Sequence, residues 1–210
     1  MNELLNRYPQ LEACQNEILS GLELMMQTYE QGGKILLCGN GGSCADCEHI
    51  VGELMKGFMS RRKVMGEITE KIRLEYPAES EYIASHLQGA LPAISLTSQT
   101  ALLSAFANDV AADMAYAQMV FGYGKKEDLL IGLTTSGNSA NVINALKVAK
   151  ALGMKTMAMA GEKKGMADEI CDVLIKAPAM ETYLVQEYHL PIYHWLCAKL
   201  EKNFFPENIK

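Results

Sequence analysis

The chain has 210 residues, 49% of them hydrophobic, and a formal net charge of −6. That length suits one domain with a sizeable core. The acidic balance argues against general nucleic-acid or anionic-membrane binding, yet leaves room for one small phosphate held at a local positive site. No apolar run approaches a membrane span. The opening MNELLNRYPQ lacks the basic-then-apolar pattern of a signal peptide. A cytoplasmic protein is therefore expected, without nucleic-acid or membrane partners. Its cysteines, Cys14, Cys38, Cys44, Cys47, Cys171 and Cys197, are expected as free thiols.

Residues 3–31 place Leu4, Leu5, Leu11, Cys14, Ile18, Leu22, Leu24, Met25 and Tyr29 at helical spacing. Pro9 is expected to part a short first helix from a longer second one, which Gly32-Gly33 ends. Such an arm serves as an oligomer contact or packs on its own domain, and the spacing fits both. Ile35-Leu36-Leu37-Cys38 reads as a buried strand. The turn Gly39-Asn40-Gly41-Gly42-Ser43 permits positive φ and exposes backbone N–H groups. The helix that follows carries His49 and Glu53. Cys44-Ala-Asp-Cys47 is a single C-x-x-C without a second half, so it reads as small residues buried on that helix.

Residues 59–90 are charged and sparsely apolar and read as a partly helical excursion broken at Pro77. The basic cluster Arg61-Arg62-Lys63 is expected on a solvated face, and His86 on the surface. Leu91–Leu96 is expected as a second strand and Thr100–Ala107 as a helix. Asn108-Asp109 then makes a turn, with Asp109 capping a further helix through Met119. Leu129–Leu133 is the third strand, Ala140–Leu152 a helix closed by Gly153, Lys155–Ala160 the fourth strand and Val173–Ile175 the fifth. Glu181–Glu201 is a long C-terminal helix, interrupted or bent near Pro191. Strands alternating with helices imply a mostly parallel sheet covered on both faces.

Three places carry chemistry. His49 and Glu53 are four residues apart and so share a helix face. An imidazole and a carboxylate there can grip a metal ion or handle a substrate's protons. Thr134-Thr135-Ser136-Gly137-Asn138-Ser139 joins a strand's end to a helix's start, where unpaired N–H groups and the helix dipole favour an anion. With four hydroxyls in six residues it suits a phosphate monoester better than plain capping. It is no Walker loop, because the G-K-[ST] ending is absent, and Gly39–Gly42 lacks the dinucleotide spacing. Gln186 and His194, two turns apart on the last helix, point broadly the same way.

The segments CGNGGSCADCEHIVGEL, LTTSGNSANVINALKVAKALGMK and VQEYHLPIYH resemble the sugar-isomerase (SIS) domain family, and within it the phosphoheptose isomerases. The resemblance implies one SIS domain over residues 1–210, with a flavodoxin-like five-stranded parallel sheet between helical layers. It also implies a homotetramer with active sites between subunits, converting sedoheptulose 7-phosphate to a heptose 7-phosphate aldose through an enediol. Glu53 and His194 then form the acid–base pair, and zinc is expected on His49, Glu53, Gln186 and His194. The candidate substrate-binding set is Asn40, Gly41, Gly42, Ser43, Asn108, Asp109, Thr134, Thr135, Ser136, Ser139 and Gln186. The chain departs from the family in its 59–90 insert, in Tyr183 where some members have aspartate, and in Thr134 for serine. An isomerase of another phosphosugar and a non-catalytic SIS sensor or adaptor are the alternative readings.

Overall fold

The computed structural model describes residues 1–206, and the last four residues of the expected 1–210 domain lie outside them. Five strands form one sheet: β1 (Ile35–Gly39), β2 (Ala93–Ser95), β3 (Leu129–Leu133), β4 (Lys155–Gly161) and β5 (Val173–Ala177). Their order is β2-β1-β3-β4-β5, and every pairing is parallel. This is the flavodoxin-like arrangement the sequence implies. The reversal of strand order between β1 and β3 opens a crevice at their carboxyl ends.

Strand alternation splits the core into two layers. Ile35, Leu37, Leu129 and Ile131 face one cluster, completed by α1 (Asn2–Arg7), α2 (Gln15–Glu30), α3 (Gly42–Met55) and α10 (Thr182–Phe204). Leu36, Cys38, Leu130 and Ala158 face the other, completed by α7 (Ala115–Tyr123) and α8 (Ala140–Ala151). The N-terminal helices therefore pack on their own domain. Leu11 and Ile18 are fully buried there, with Pro9 opening the 3-10 turn between α1 and α2. Cys47 is buried on α3 as a small residue, and all six cysteines are free thiols.

The excursion after α3 carries α4 (Glu67–Glu75) and α5 (Ser80–His86), neither of which buries a residue. Its base differs from expectation. Arg62, expected on a solvated face, is fully buried, because Glu201 and backbone carbonyls of α3 meet its guanidinium. Two further expectations are corrected. Helix α6 (Thr100–Phe106) gives way to a π-helical turn over Ala107–Ala111 and a 3-10 turn before α7. Asp109 lies inside that π turn and caps nothing, since its carboxylate accepts from the Asn108 side chain instead. Helix α10 runs unbroken through Pro191, whose buried ring lies in a helix packed against α2 and α3. Packing supplies what the missing N–H does not.

Asp128 ties the entries of the two central strands together. Its carboxylate accepts from Lys34 N at 2.9 Å, Lys34 Nζ at 2.6 Å and Lys125 N at 2.8 Å, with the acid almost fully buried. Asp128→Asn leaves one of these donors facing an amide N–H₂. It should cost about 2–4 kcal/mol in urea unfolding, as a broken charge-assisted network does, and an unchanged midpoint would show that the network is dispensable.

Candidate active site

The site assembles where α3, leaving the end of β1, packs against α10. The β1 strand ends at Gly39, opposite Leu133 at the end of β3, so both following loops emerge at one level. Gly41, at φ 57°, turns the first loop into α3, a backbone conformation that a side chain would resist. Asn40 and Asn141 exchange two amide hydrogen bonds of 2.9 and 2.8 Å across the gap, fixing the loops to one another. Ser43 is buried in the first turn of α3. Gly42 is the point of closest approach: a Cβ there would lie 2.7 Å from Gln186 Nε2, so the glycine is what lets the Gln186 carboxamide reach this loop.

About two turns further along α3, His49 Nε2 lies 3.2 Å from Glu53 Oε1, as the four-residue spacing allows. The His49 ring stands edge-on to the His194 ring, with centroids 5.0 Å apart. The expected acid–base and imidazole groups thus come together. Two partners were not legible in the sequence. Tyr193 Oη lies 3.0 Å from His49 Nδ1 and donates to Asp46 Oδ1 at 3.2 Å. Because that hydroxyl has one proton and gives it to Asp46, it accepts from His49 Nδ1–H. The opposite edge of the ring, Nε2, faces the Glu53 carboxylate. Asp46 precedes His49 by one helical turn, the sole sequence signal that it belongs here.

Electrostatics follow from burial. Burial pushes the Asp46 carboxyl above its ordinary range, opposed by the Tyr193 hydrogen bond and by His49. Burial likewise raises the Tyr193 hydroxyl, with the Asp46 charge adding to it. His194 is lowered, first by burial and then by neighbouring His49, which favours a neutral imidazole able to take a proton. Glu53 Oε2 is buried without a hydrogen-bond partner. Among the described residues no three His, Cys, Asp or Glu side chains converge as one metal shell. Two imidazoles and a carboxylate with an unmatched buried oxygen are donor types that zinc takes, whereas the Gln186 carboxamide is an unusual one.

The hydroxyl loop divides its labour. Thr134 Oγ1 and Ser139 Oγ pair at 3.0 Å, with Thr134 buried. Ser139 makes no side-chain cap on α8. Thr135 and Ser136 open into a cleft of about 270 Å³ that Lys163 and Lys164 also line. These lysines were missed, because the run after β4 shows no motif. A second cleft, of about 470 Å³, opens at His194 between α1 and α10 and includes Arg7 and Phe58. Asn108 and Asp109 lie exposed on the π turn, bonded to each other. Tyr183 is exposed too.

A family model for the SIS domain matches residues 1–84 and 83–161. The chain belongs to the SIS domain family. Over 198 residues it is 36% identical to a phosphoheptose isomerase of Helicobacter pylori, covering 94% of this chain and 90% of that one. The phosphoheptose isomerase of Clostridium acetobutylicum is 36% identical over 193 residues, with coverages of 92% and 85%. Among solved structures, phosphoheptose isomerase GmhA from Neisseria gonorrhoeae superposes with a TM-score of 0.74 at 30% identity, covering 96% of this chain and 94% of that one. A phosphoheptose isomerase from Francisella tularensis gives 0.76 at 27% identity, with coverages of 93% and 91%.

His189 stands apart from the site. It is fully buried, its Nε2 lies 3.5 Å from Ala160 O, and burial lowers it from 6.5 to about 4. The folded state therefore refuses a proton that the unfolded chain accepts. Stability from this residue is complete above pH 6.5 and is lost as pH falls toward 4. The loss should be about 3 kcal/mol, and His189→Leu should remove that much of the acid slope in urea titrations at pH 7 and pH 4. Parallel slopes for both proteins would assign acid sensitivity elsewhere.

Proposed function

We propose that this SIS protein is an aldose–ketose isomerase that converts sedoheptulose 7-phosphate to D-glycero-D-manno-heptose 7-phosphate. The observation that carries the reading is the meeting of His49 with both Glu53 and His194 on α3 and α10, with the Gln186 carboxamide at the start of α3, in a chain that aligns over nearly its full length with phosphoheptose isomerases. The reaction moves one proton between C1 and C2 and another between their oxygens, so it needs acid–base groups within reach of both. Glu53 and His194 form that pair. Tyr193 and Asp46 fix the His49 ring, and His49 in turn orients the Glu53 carboxylate. Thr135, Ser136 and the first-turn N–H groups of α8 take the phosphate, with Lys163 and Lys164 supplying positive charge.

Zinc belongs to the same proposal. His49, Glu53, Gln186 and His194 would hold it once the His49–Glu53 bond opens, and the bound ion would polarise the substrate carbonyl. A homotetramer is proposed as well. In one chain the His194 cleft and the Thr135–Ser136 cleft lie at opposite ends of the α10 segment 182–194, about 18 Å of helix at 1.5 Å per residue. That is longer than one sugar phosphate, and a second copy would complete the enclosure.

Glu53→Gln keeps size and one ligand oxygen but removes the base. Turnover should fall by about 10²–10⁴-fold, while sedoheptulose 7-phosphate still binds in calorimetry. His49→Ala should lose zinc more than chemistry and be partly restored by added zinc. The measurement is turnover against zinc concentration for both variants and the wild type. Normal turnover in Glu53→Gln would hand the base role to another group, and wild-type turnover untouched by chelation would remove zinc from the proposal. Absence of turnover on any ketose phosphate, with zinc supplied, would favour a sugar-phosphate-binding SIS module.

A further inference from the structure

We propose that the buried Arg62–Glu201 ion pair is a positioning device that sets both members of the acid–base pair, and this rests on the isomerase reading above. Arg62 has no exposed surface, and its guanidinium makes three directed bonds. Nε donates to Glu201 Oε1 at 2.7 Å, Nη1 to Leu54 O at 2.6 Å and Nη2 to Glu53 O at 2.8 Å. The two carbonyls belong to the last turn of α3, where helix geometry leaves C=O groups without partners. Arg62 thus caps the helix at Glu53 itself, with the charge sign that a helix C-terminus favours.

Glu201 extends the device to the other member. It lies two turns beyond His194 on α10, and its carboxylate accepts from Phe58 N at 2.8 Å and Met59 N at 2.7 Å. The Phe58 ring packs on the His194 ring, with centroids 5.6 Å apart. One ion pair therefore holds the Glu53 backbone and the aromatic wall of His194. The chain around Arg62 is shaped to deliver it: Gly89 N donates to Arg62 O at 2.6 Å, and Gln88 Oε1 accepts from Gly57 N at 2.8 Å. Arg62 itself sits at φ 42°, the one non-glycine residue with positive φ among those described. Such backbone strain persists where surrounding contacts demand it.

Stability does not call for an ion pair at this place, because well-packed apolar pairs often serve a core as well. What an apolar pair lacks is direction. The planar fork spans two carbonyls and a carboxylate at once, which a lysine ammonium does not reproduce.

The test uses the full chain with Arg62→Lys, Glu201→Gln and the paired substitution Arg62→Met with Glu201→Leu. Asp128→Asn, which disturbs a buried ion pair remote from the site, is the control. Melting temperature, kcat and KM for sedoheptulose 7-phosphate, and the NMR shift of the His194 ring protons are measured for each. Folded variants should lose about tenfold or more in kcat with KM changed little, the signature of misplacement rather than lost binding. The His194 ring signal should move as Phe58 leaves it. Asp128→Asn should lower the melting temperature and leave kcat and the ring signal alone. A folded double variant with wild-type kcat and an unmoved ring signal would overturn the proposal, as would unfolding of all three variants, which would make the pair purely structural. If the wild type turns over no heptose phosphate, the substrate reading fails alone. The His194 signal then still decides: moved, the clamp stands, and unmoved, it falls.

Discussion

The pairing of β1 with β3 governs the rest of this molecule. Both strands are buried on both faces, so neither can slip without turning Leu36 or Leu130 into the wrong layer. The register that results sets Gly39 against Leu133. From that single alignment the glycine turn and the hydroxyl loop emerge side by side, and the crossed Asn40–Asn141 amides become possible. Helix α3 must leave from the first loop and α8 from the second. Their N-termini, with unpaired N–H groups and positive dipole ends, then frame one crevice.

Against α3 and α2 packs α10, whose 23 residues carry core and polar side chains together. Its buried side holds Val185, His189, Ile192, Leu196 and Leu200 in the core. Gln186 and His194 lie between these and solvent. Tyr193 shows how the two duties meet. Its ring is core, yet its hydroxyl bridges Asp46 and His49. A buried phenol with two polar partners costs little, whereas an unpartnered one costs a full desolvation penalty. The partners hold the imidazole at the angle the site needs, and burial of the network is what displaces the Asp46 and His194 titrations.

What the sequence disclosed, and what it hid, follows the range of the interactions. Strands β1, β3 and β4 were legible because short apolar runs bounded by glycine or charge leave no other reading. His49 with Glu53 was legible because a helix makes four-residue neighbours touch. Arg62 was not, since its partner Glu201 lies 139 positions away. A basic triplet is ordinarily solvated, so only the tertiary approach of α10 reveals the middle residue as buried. The π turn at Ala107–Ala111 was hidden for a related reason: Asn108 and Asp109 satisfy each other, an alternative to helix capping that composition does not disclose. Asp46 and Tyr193 each sit beside a recognised residue, yet neither is marked by spacing alone.

The charge pattern is uneven along the molecule. The chain as a whole is acidic, at −6, and would repel a phosphate dianion at long range. Physiological salt screens such repulsion beyond about 8 Å, so local donors decide. The Thr135–Ser136 cleft has the N-terminus of a 12-residue helix on one side and two lysines on the other. Lys164 reaches Glu169 only at 3.8 Å, between exposed groups; such a pair is weak and yields readily to a doubly charged ligand. At the opposite end, the His194 cleft has Arg7 beside a lowered imidazole. Burial and His49 lower that imidazole first, and Arg7 adds a smaller push toward its neutral form. The lysine-lined hydroxyl loop thus suits an anion better than the overall charge of the chain suggests.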